Sequence, residues 1–170
     1  GGDALDMPTL HFCGADYQSE YRRINRRLVG AYDTTGALTG PISDAVLYDS
    51  AQGAQSALDE LRSVLKSCAA NTQVNVGGTL LTVVPKPTTD IGFTGAVPEK
   101  QRAVMSEVVT DPIGGSSALI QTVWQVQGVY LVSLTLQHDA QVPFSKADQL
   151  TFTTLAASIA SRLAAAPQPS

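Results

Sequence analysis

The sequence predicts an α+β domain: one antiparallel sheet of about five to six strands with two long helices packed on one face. Three observations point there. Two segments, one beginning near residue 50 and one at the C-terminal end, repeat apolar residues at helical spacing. Everything between and before them reads as strand and turn, in the order β-β-α-β-β-β-β-α, and meandering strands between two helices favour an antiparallel sheet. The chain has 170 residues, enough for one core and not for two. Residues 1–18 read as an N-terminal arm, 19–166 as a single domain and 167–170 as an exposed tail.

The arm is irregular, with Pro8 and Gly14 breaking any period. Residues 22–29 (Arg-Arg-Ile-Asn-Arg-Arg-Leu-Val) read both ways, because Ile24 and Leu28 share a strand face and also lie four apart on a helix. The β-branched residues and Gly30 favour a strand. A loop follows from Asp33 to Pro41, then a strand over 42–48. The first helix comes next, with Asp49 or Ser50 placed to cap it. Ala54, Ala57, Leu58, Leu61, Leu65 and Cys68 form its apolar stripe, opposite Gln55, Asp59, Arg62 and Lys66.

Residues 74–84 read as one strand with a bulge at Gly77-Gly78. The stretch from Pro85 to Pro98 holds three prolines and two glycines without a period, a length of irregular chain that is usually functional or mobile. Residues 103–110 form a strand, and Asp111-Pro112-Ile113-Gly114-Gly115 a turn. Segments 117–126 and 129–137 form a hairpin. A three-residue loop at 126–128, with Gly128 left-handed, would put Ile120, Thr122 and Trp124 on one face with Tyr130, Val132, Leu134 and Leu136. The last helix, about 146–165, opens on a Ser145/Asp148 capping-box signal. Its stripe of Phe152, Leu155, Ile159 and Leu163 is expected to pack against the face carrying Trp124 and Tyr130. Leu155→Ala or Ile159→Ala should then cost about 2–4 kcal/mol.

Composition sets the setting. Apolar residues make up 44% and charged residues 15% of the chain, which excludes disorder and coiled coil. A net charge of −4 argues against a nucleic-acid partner. No run of eighteen apolar residues is present to span a membrane, and no signal peptide is seen. The only cysteines are Cys13 and Cys68. Two such residues are buried thiols in a cytosolic protein and a disulfide in an exported one. Few lysines, many small polar residues and the Ala-Pro-rich tail favour export. A Cys13–Cys68 disulfide is therefore expected, worth about 4 kcal/mol on chain-entropy grounds.

Little in the chain suggests chemistry. His11 and His138 have no partners at metal-ligand spacing, and His138-Asp139 reads as a solvated turn. A His11–Cys13 nucleophile is removed by the disulfide. Gly114-Gly115-Ser116-Ser117 lacks the following helix that a phosphate loop or nucleophile elbow needs. No catalytic residue, metal or cofactor is expected. Two groups remain as ligand candidates. Gln121 and Gln125, with Ser133, Thr135 and Gln137, place neutral hydrogen-bonding groups among aliphatics on the far hairpin face, as in small-molecule grooves, with 85–98 as a lid. Four of the seven arginines fall at 22, 23, 26 and 27. They read either as a solvated face balancing Asp16, Glu20 and Asp33 or, through Arg22 and Arg26, as an anion site.

Phe12-Cys13-Gly14, the Arg-rich strand, Asp44-Ala45-Val46-Leu47-Tyr48 and the helix from Gly53 to Cys68 resemble the extracellular domains of actinobacterial secreted proteins and lipoproteins related to the PknH-type kinase sensor domain. The resemblance covers roughly residues 10–70. It implies an antiparallel sheet with helices on one face and a cleft, outside the cell membrane. It departs from the family in allowing one disulfide where the kinase sensor domain is expected to hold two. The resulting expectation is a non-enzymatic extracytoplasmic ligand-binding or sensor domain, secreted or anchored through a segment outside this chain. Its partner would be a small molecule or a cell-envelope component. The alternative is a module that docks another envelope protein.

Overall fold

The computed structural model describes residues 5–10, 12–35, 38–68, 72–76, 79–86, 97–111, 113 and 115–167. Strands β1 (Arg23–Tyr32) and β2 (Leu38–Tyr48) lead into helix α1 (Ala51–Ser67). Strands β3 (Thr72–Val76), β4 (Thr79–Lys86), β5 (Arg102–Thr110), β6 (Ser117–Gln127) and β7 (Tyr130–Asp139) follow, and helix α2 (Lys146–Ala164) closes the chain. All seven strands join one antiparallel sheet in the order β1-β2-β7-β6-β5-β4-β3. The strand count exceeds the expected five to six because the run 74–84 is two strands. Val76 pairs with Thr79 as a hairpin, and the expected bulge at Gly77-Gly78 lies outside the described residues. No helix among the described residues is long and apolar enough to cross a membrane.

Hairpin β6–β7 corrects the expected register. Its turn is Gly128–Val129, with Gln127 opposite Tyr130 and Gln125 opposite Val132. Gly128 alone is left-handed there, at φ +56, which is the arrangement of a two-residue II′ turn whose twist matches the flanking strands. Ile120, Thr122, Trp124 and Val126 therefore share a face with Leu131, Ser133, Thr135 and Gln137. Gln121, Val123 and Gln125 share the other with Tyr130, Val132, Leu134 and Leu136. The almost wholly apolar face expected from the sequence does not exist, because a change of one residue in pairing exchanges every side chain between faces.

Both faces are covered instead. Helix α1 packs Ala54, Ala57, Leu58 and Leu61 onto Val46, Tyr48, Ala103, Met105, Trp124, Val126 and Leu131. Helix α2 packs Phe152 and Ala156 onto Val123 and Leu134, with Val104, Leu136 and Ile159 around them. These sheet residues alternate along β5, β6 and β7, so the helices lie on opposite faces and not on one. Tyr130 is on the α2 side, where its hydroxyl donates to the Pro167 carbonyl. Trp124 is on the α1 side, edge-on to Phe12 with ring centroids 5.0 Å apart. The α2 stripe is also narrower than expected: Leu155 is 37% exposed, so the expected cost of Leu155→Ala does not apply.

Local chemistry explains the helix ends. The Ser50 hydroxyl accepts the Gly53 amide at 3.1 Å. In α2, Ser145 and Asp148 form the reciprocal capping box, and these hydrogen bonds hold the Asp148 carboxyl below its usual range. Cys68 caps α1 and is joined to Cys13 by a disulfide, with Cα atoms 5.7 Å apart. The arm is thus stapled to the end of α1, and it sinks Leu10 and Tyr17 into the core.

Candidate functional site

The two groups of sequence-predicted ligand residues are not brought together. Gln121 and Gln125 lie on the α2 face, each 2% exposed. Ser133, Thr135 and Gln137 lie on the α1 face, where Thr135 shares a 3.0 Å hydroxyl–hydroxyl bond with Thr122. The missed register is the cause. The expected lid falls mostly on residues 87–96, which lie outside the described residues, and Pro85 and Lys86 belong to β4.

The arginines also have a different task from the one expected. Arg26 grips Asp44 in a forked pair, Nη2 to Oδ2 at 2.7 Å and Nε to the two oxygens at 3.0 and 3.1 Å. Both side chains are about nine-tenths buried, and Arg26 also donates to the Met7 and Pro8 carbonyls. Arg23 pairs with Glu20 at 3.2 Å and donates to the Leu5 and Met7 carbonyls. Glu20 in turn accepts the Thr9 and Leu10 amides. Arg22 binds Asp49 and the Ser50 hydroxyl, and its guanidinium holds the Asp49 carboxyl below the usual range. These groups clamp the arm and cap the helix. Arg22, Arg23 and Arg26 each pair with a different carboxylate: Glu20, one of the expected acids, on Arg23, and Asp49 and Asp44, which were not foreseen, on Arg22 and Arg26.

His138 stacks edge-on against Phe144 and lies 3.8 Å from Asp148. His11 is outside the described residues. Gly115, at φ +67, donates to the Asp111 carbonyl in the expected turn. Among the described residues, no three His, Cys, Asp or Glu side chains gather as a metal site would require.

Two predicted residues line clefts: Gln137 borders one of about 510 Å³ with Leu136, His138 and Asp139, and Gln125 borders another. The Gln125 cleft has a volume of about 420 Å³ and lies between the end of β6, the Val97–Gln101 segment and the C-terminal half of α2. Its walls include Val97, Pro98, Gln101, Ala157, Ala160 and Leu163. Alanines on α2 keep the helix backbone close to the sheet and leave room that a larger side chain would fill. Neither the Oε1 nor the Nε2 of Gln125 has a hydrogen-bond partner, and the Gln121 Oε1 nearby on β6 is equally unsatisfied. Burying such a group unpaired costs about 1–3 kcal/mol. A carboxamide with both ends unmet presents one donor and one acceptor side by side. That pair matches another amide, a carboxyl or a vicinal hydroxyl pair.

Two features escaped the sequence reading. A hollow of about 760 Å³ beside the cleft is lined by Arg62, Lys66, Lys100 and Arg102, with Glu99; these cations are scattered in sequence and give no cluster to notice. Glu107 faces the α1 side of β5, opposite Ile120, and is 6% exposed. Burial pushes its carboxyl up to about 7. The signal was available in the sequence, since a lone acid alternates in phase with Ala103 and Met105.

No protein-family model and no curated protein matches the sequence. Among solved structures, the fold is similar to the crystal structure of the extracellular domain of PknH from Mycobacterium tuberculosis. The TM-score is 0.54 at 9% sequence identity, over 94% of this chain and 74% of that one. The likeness is one of fold, and a distant one.

Proposed function

We propose that the chain is an extracytoplasmic, non-enzymatic ligand-binding or sensor domain of a secreted or lipid-anchored bacterial protein, and that its ligand enters the cleft at Gln125. The observation that carries this reading is the buried, unpaired Gln125 carboxamide in a cleft with neutral walls. Native interiors rarely leave such a group unmet without a functional reason. The Cys13–Cys68 disulfide supports an oxidising compartment, and the fold likeness to an extracellular sensor domain supports the same direction. The neutral lining suits an uncharged ligand bearing an amide or hydroxyls, such as a sugar or an amphiphile's head.

Gln125→Met tests it, since Met has a similar volume without the polar atoms. The variant should be about 1–3 kcal/mol more stable, because the unmet amide is gone. It should also lose the amide chemical-shift changes that acetamide or N-acetylglucosamine induce at the cleft in the natural sequence. A destabilised variant, or shifts that persist in it, would sink the reading. A second reading, an envelope protein-docking module, is favoured by one observation, the exposed apolar side chains of β1.

A further inference from the structure

Four cationic side chains, Arg62 and Lys66 from α1 with Lys100 and Arg102, line the hollow of about 760 Å³. Two carboxylates oppose them: Glu99 in the hollow and Asp59, exposed and 3.3 Å from Arg62. Acids outnumber Lys and Arg by fifteen to eleven over the whole chain, and Arg22, Arg23 and Arg26 each hold one within 3.2 Å. Lys66 and Lys100 hold none, and neither makes a hydrogen bond among the described residues. Both are exposed. The two guanidinium groups are fixed in place, Arg62 donating to the Glu99 and Arg102 carbonyls and Arg102 to the Val97 carbonyl. Neutral carbonyls orient these groups without cancelling a full charge.

The hollow adjoins the Gln125 cleft, and Pro98 borders both. Strand β4 pairs with β5 only from Ser106 onward, so the stretch carrying Arg102 and Val104 has no β4 neighbour, and the hollow lies along it. Arg102 stands directly opposite Gln125 in the β5–β6 ladder, on the α2 face. Such opposed residues have Cβ atoms about 5 Å apart. A molecule of one sugar ring and one charged substituent is long enough to touch both.

We infer that the uncharged group held in the cleft is one end of a larger ligand, whose other end is a phosphate ester seated among Arg62, Lys66, Lys100 and Arg102. The inference rests on the reading of the Gln125 cleft and adds the chemical class of the charged end. Four cations stand against two carboxylates, an excess that one carboxylate of a ligand leaves half unmet. A phosphate monoester carries about −1.5 to −2 near pH 7. Its terminal oxygens accept from ammonium and guanidinium donors that arrive from different directions. The buried, unpaired Gln125 carboxamide meets an amide or adjacent hydroxyls on the same molecule.

Amide-shift titrations of the whole, disulfide-intact chain with N-acetylglucosamine and with N-acetylglucosamine 1-phosphate test this. At low salt the phosphate should bind about tenfold more tightly, the gain expected from two exposed charge pairs. The advantage should fade at high salt. Lys66→Gln combined with Lys100→Gln should abolish it while the neutral sugar binds as before. Both lysines are exposed, so the melting temperature should hold. Equal affinity for the two ligands, or an advantage that survives the double variant, would overturn the inference while the cleft stands on the neutral sugar's shifts. If neither sugar shifts the cleft, both readings fall. Inorganic phosphate binding at Lys66 and Lys100 as tightly as the sugar phosphate would also overturn the joined site. Given the tenfold advantage, retention on phosphatidylinositol vesicles that the double variant loses places the phosphate on a lipid, and no retention places it on a soluble molecule.

Discussion

Helix α1 sinks Ala54, Ala57, Leu58 and Leu61 out of contact with solvent, whereas α2, which is two residues longer, sinks only Phe152 and Ala156. The α1 side is also tied by polar and covalent links. Glu60 accepts the Ser19 amide and hydroxyl, Arg62 donates to the Glu99 and Arg102 carbonyls, and the disulfide holds the last turn. On that side burial, with Glu60 and Glu20 adding to it, pushes the Tyr17 hydroxyl upward. On the α2 side Leu150 and Leu155 stay exposed, and the helix meets β6 across the Gln125 cleft. One sheet thus has a sealed face and a looser one. Opening the looser face costs less, and the unmet Gln121 and Gln125 carboxamides lie on it.

The largest effect should come from the loose face, because one ring carries most of its burial. Phe152→Ala is expected to cost about 3–5 kcal/mol, read by denaturant unfolding. If the cost is under about 1 kcal/mol, α2 is held by something other than this ring, and the contrast between the faces fails.

Replacing both cysteines by alanine should cost about 4 kcal/mol for a link spanning 55 positions. Hydrogen exchange should then rise in the arm and α1 while α2 keeps its protection. Loss of protection spread evenly over both helices would show that the faces are not separate units. On the intact protein, a thiol-reactive dye without reductant should find no free thiol.

Glu107 sharpens the account of the sealed face. Its folded-state pKa is raised to about 7 from 4.5, so the folded protein binds the proton more tightly than the unfolded chain does. Stability contributed by this group should therefore be full below about pH 4.5 and fall as pH rises towards 7. Glu107→Gln should remove that slope and gain up to about 3 kcal/mol at pH 7, at about 1.4 kcal/mol per pH unit, with little change at pH 4.5. An unchanged slope would mean the face admits water at that position.

The smallest effect is expected at Leu155→Ala, below about 0.5 kcal/mol, as for exposed positions. Ile159, half-buried beside Phe152, should cost more. A reversal of that order by thermal melts would move the α2 stripe by one residue.

Element identities were legible because the periodicities are strong. The helix from 51, the final helix and the strands over 102–110, 117–127 and 130–139 all match patterns of spacing and breakers. What failed were relations between elements. Gly77-Gly78 reads equally as bulge or turn when only alternation is considered. Gly128 fixes a left-handed residue but not which neighbours share its turn. That single ambiguity moved Trp124 away from Tyr130, divided the five ligand candidates and hid the two-sided burial. A clue to the last point was present: β6 carries no charged residue in eleven positions, and strands covered on both sides lack a polar face. The arginine run was visible, yet Asp44 and Asp49 lie too far along the chain for spacing to reveal them as partners.

The strand order also has a bearing on how the chain reaches this state. Every neighbouring pair in the sheet is a sequential hairpin except β2–β7, where Val46 meets Leu131. The meander β3 to β7 can form by short steps, as can the β1–β2 hairpin with α1 behind it. Joining the two requires closing a loop across half of the chain, from Val46 to Leu131, before any contact rewards it. Commitment to the native state is therefore expected at that seam. Val46→Ala should slow folding in proportion to the stability it removes, while Phe152→Ala should chiefly speed unfolding.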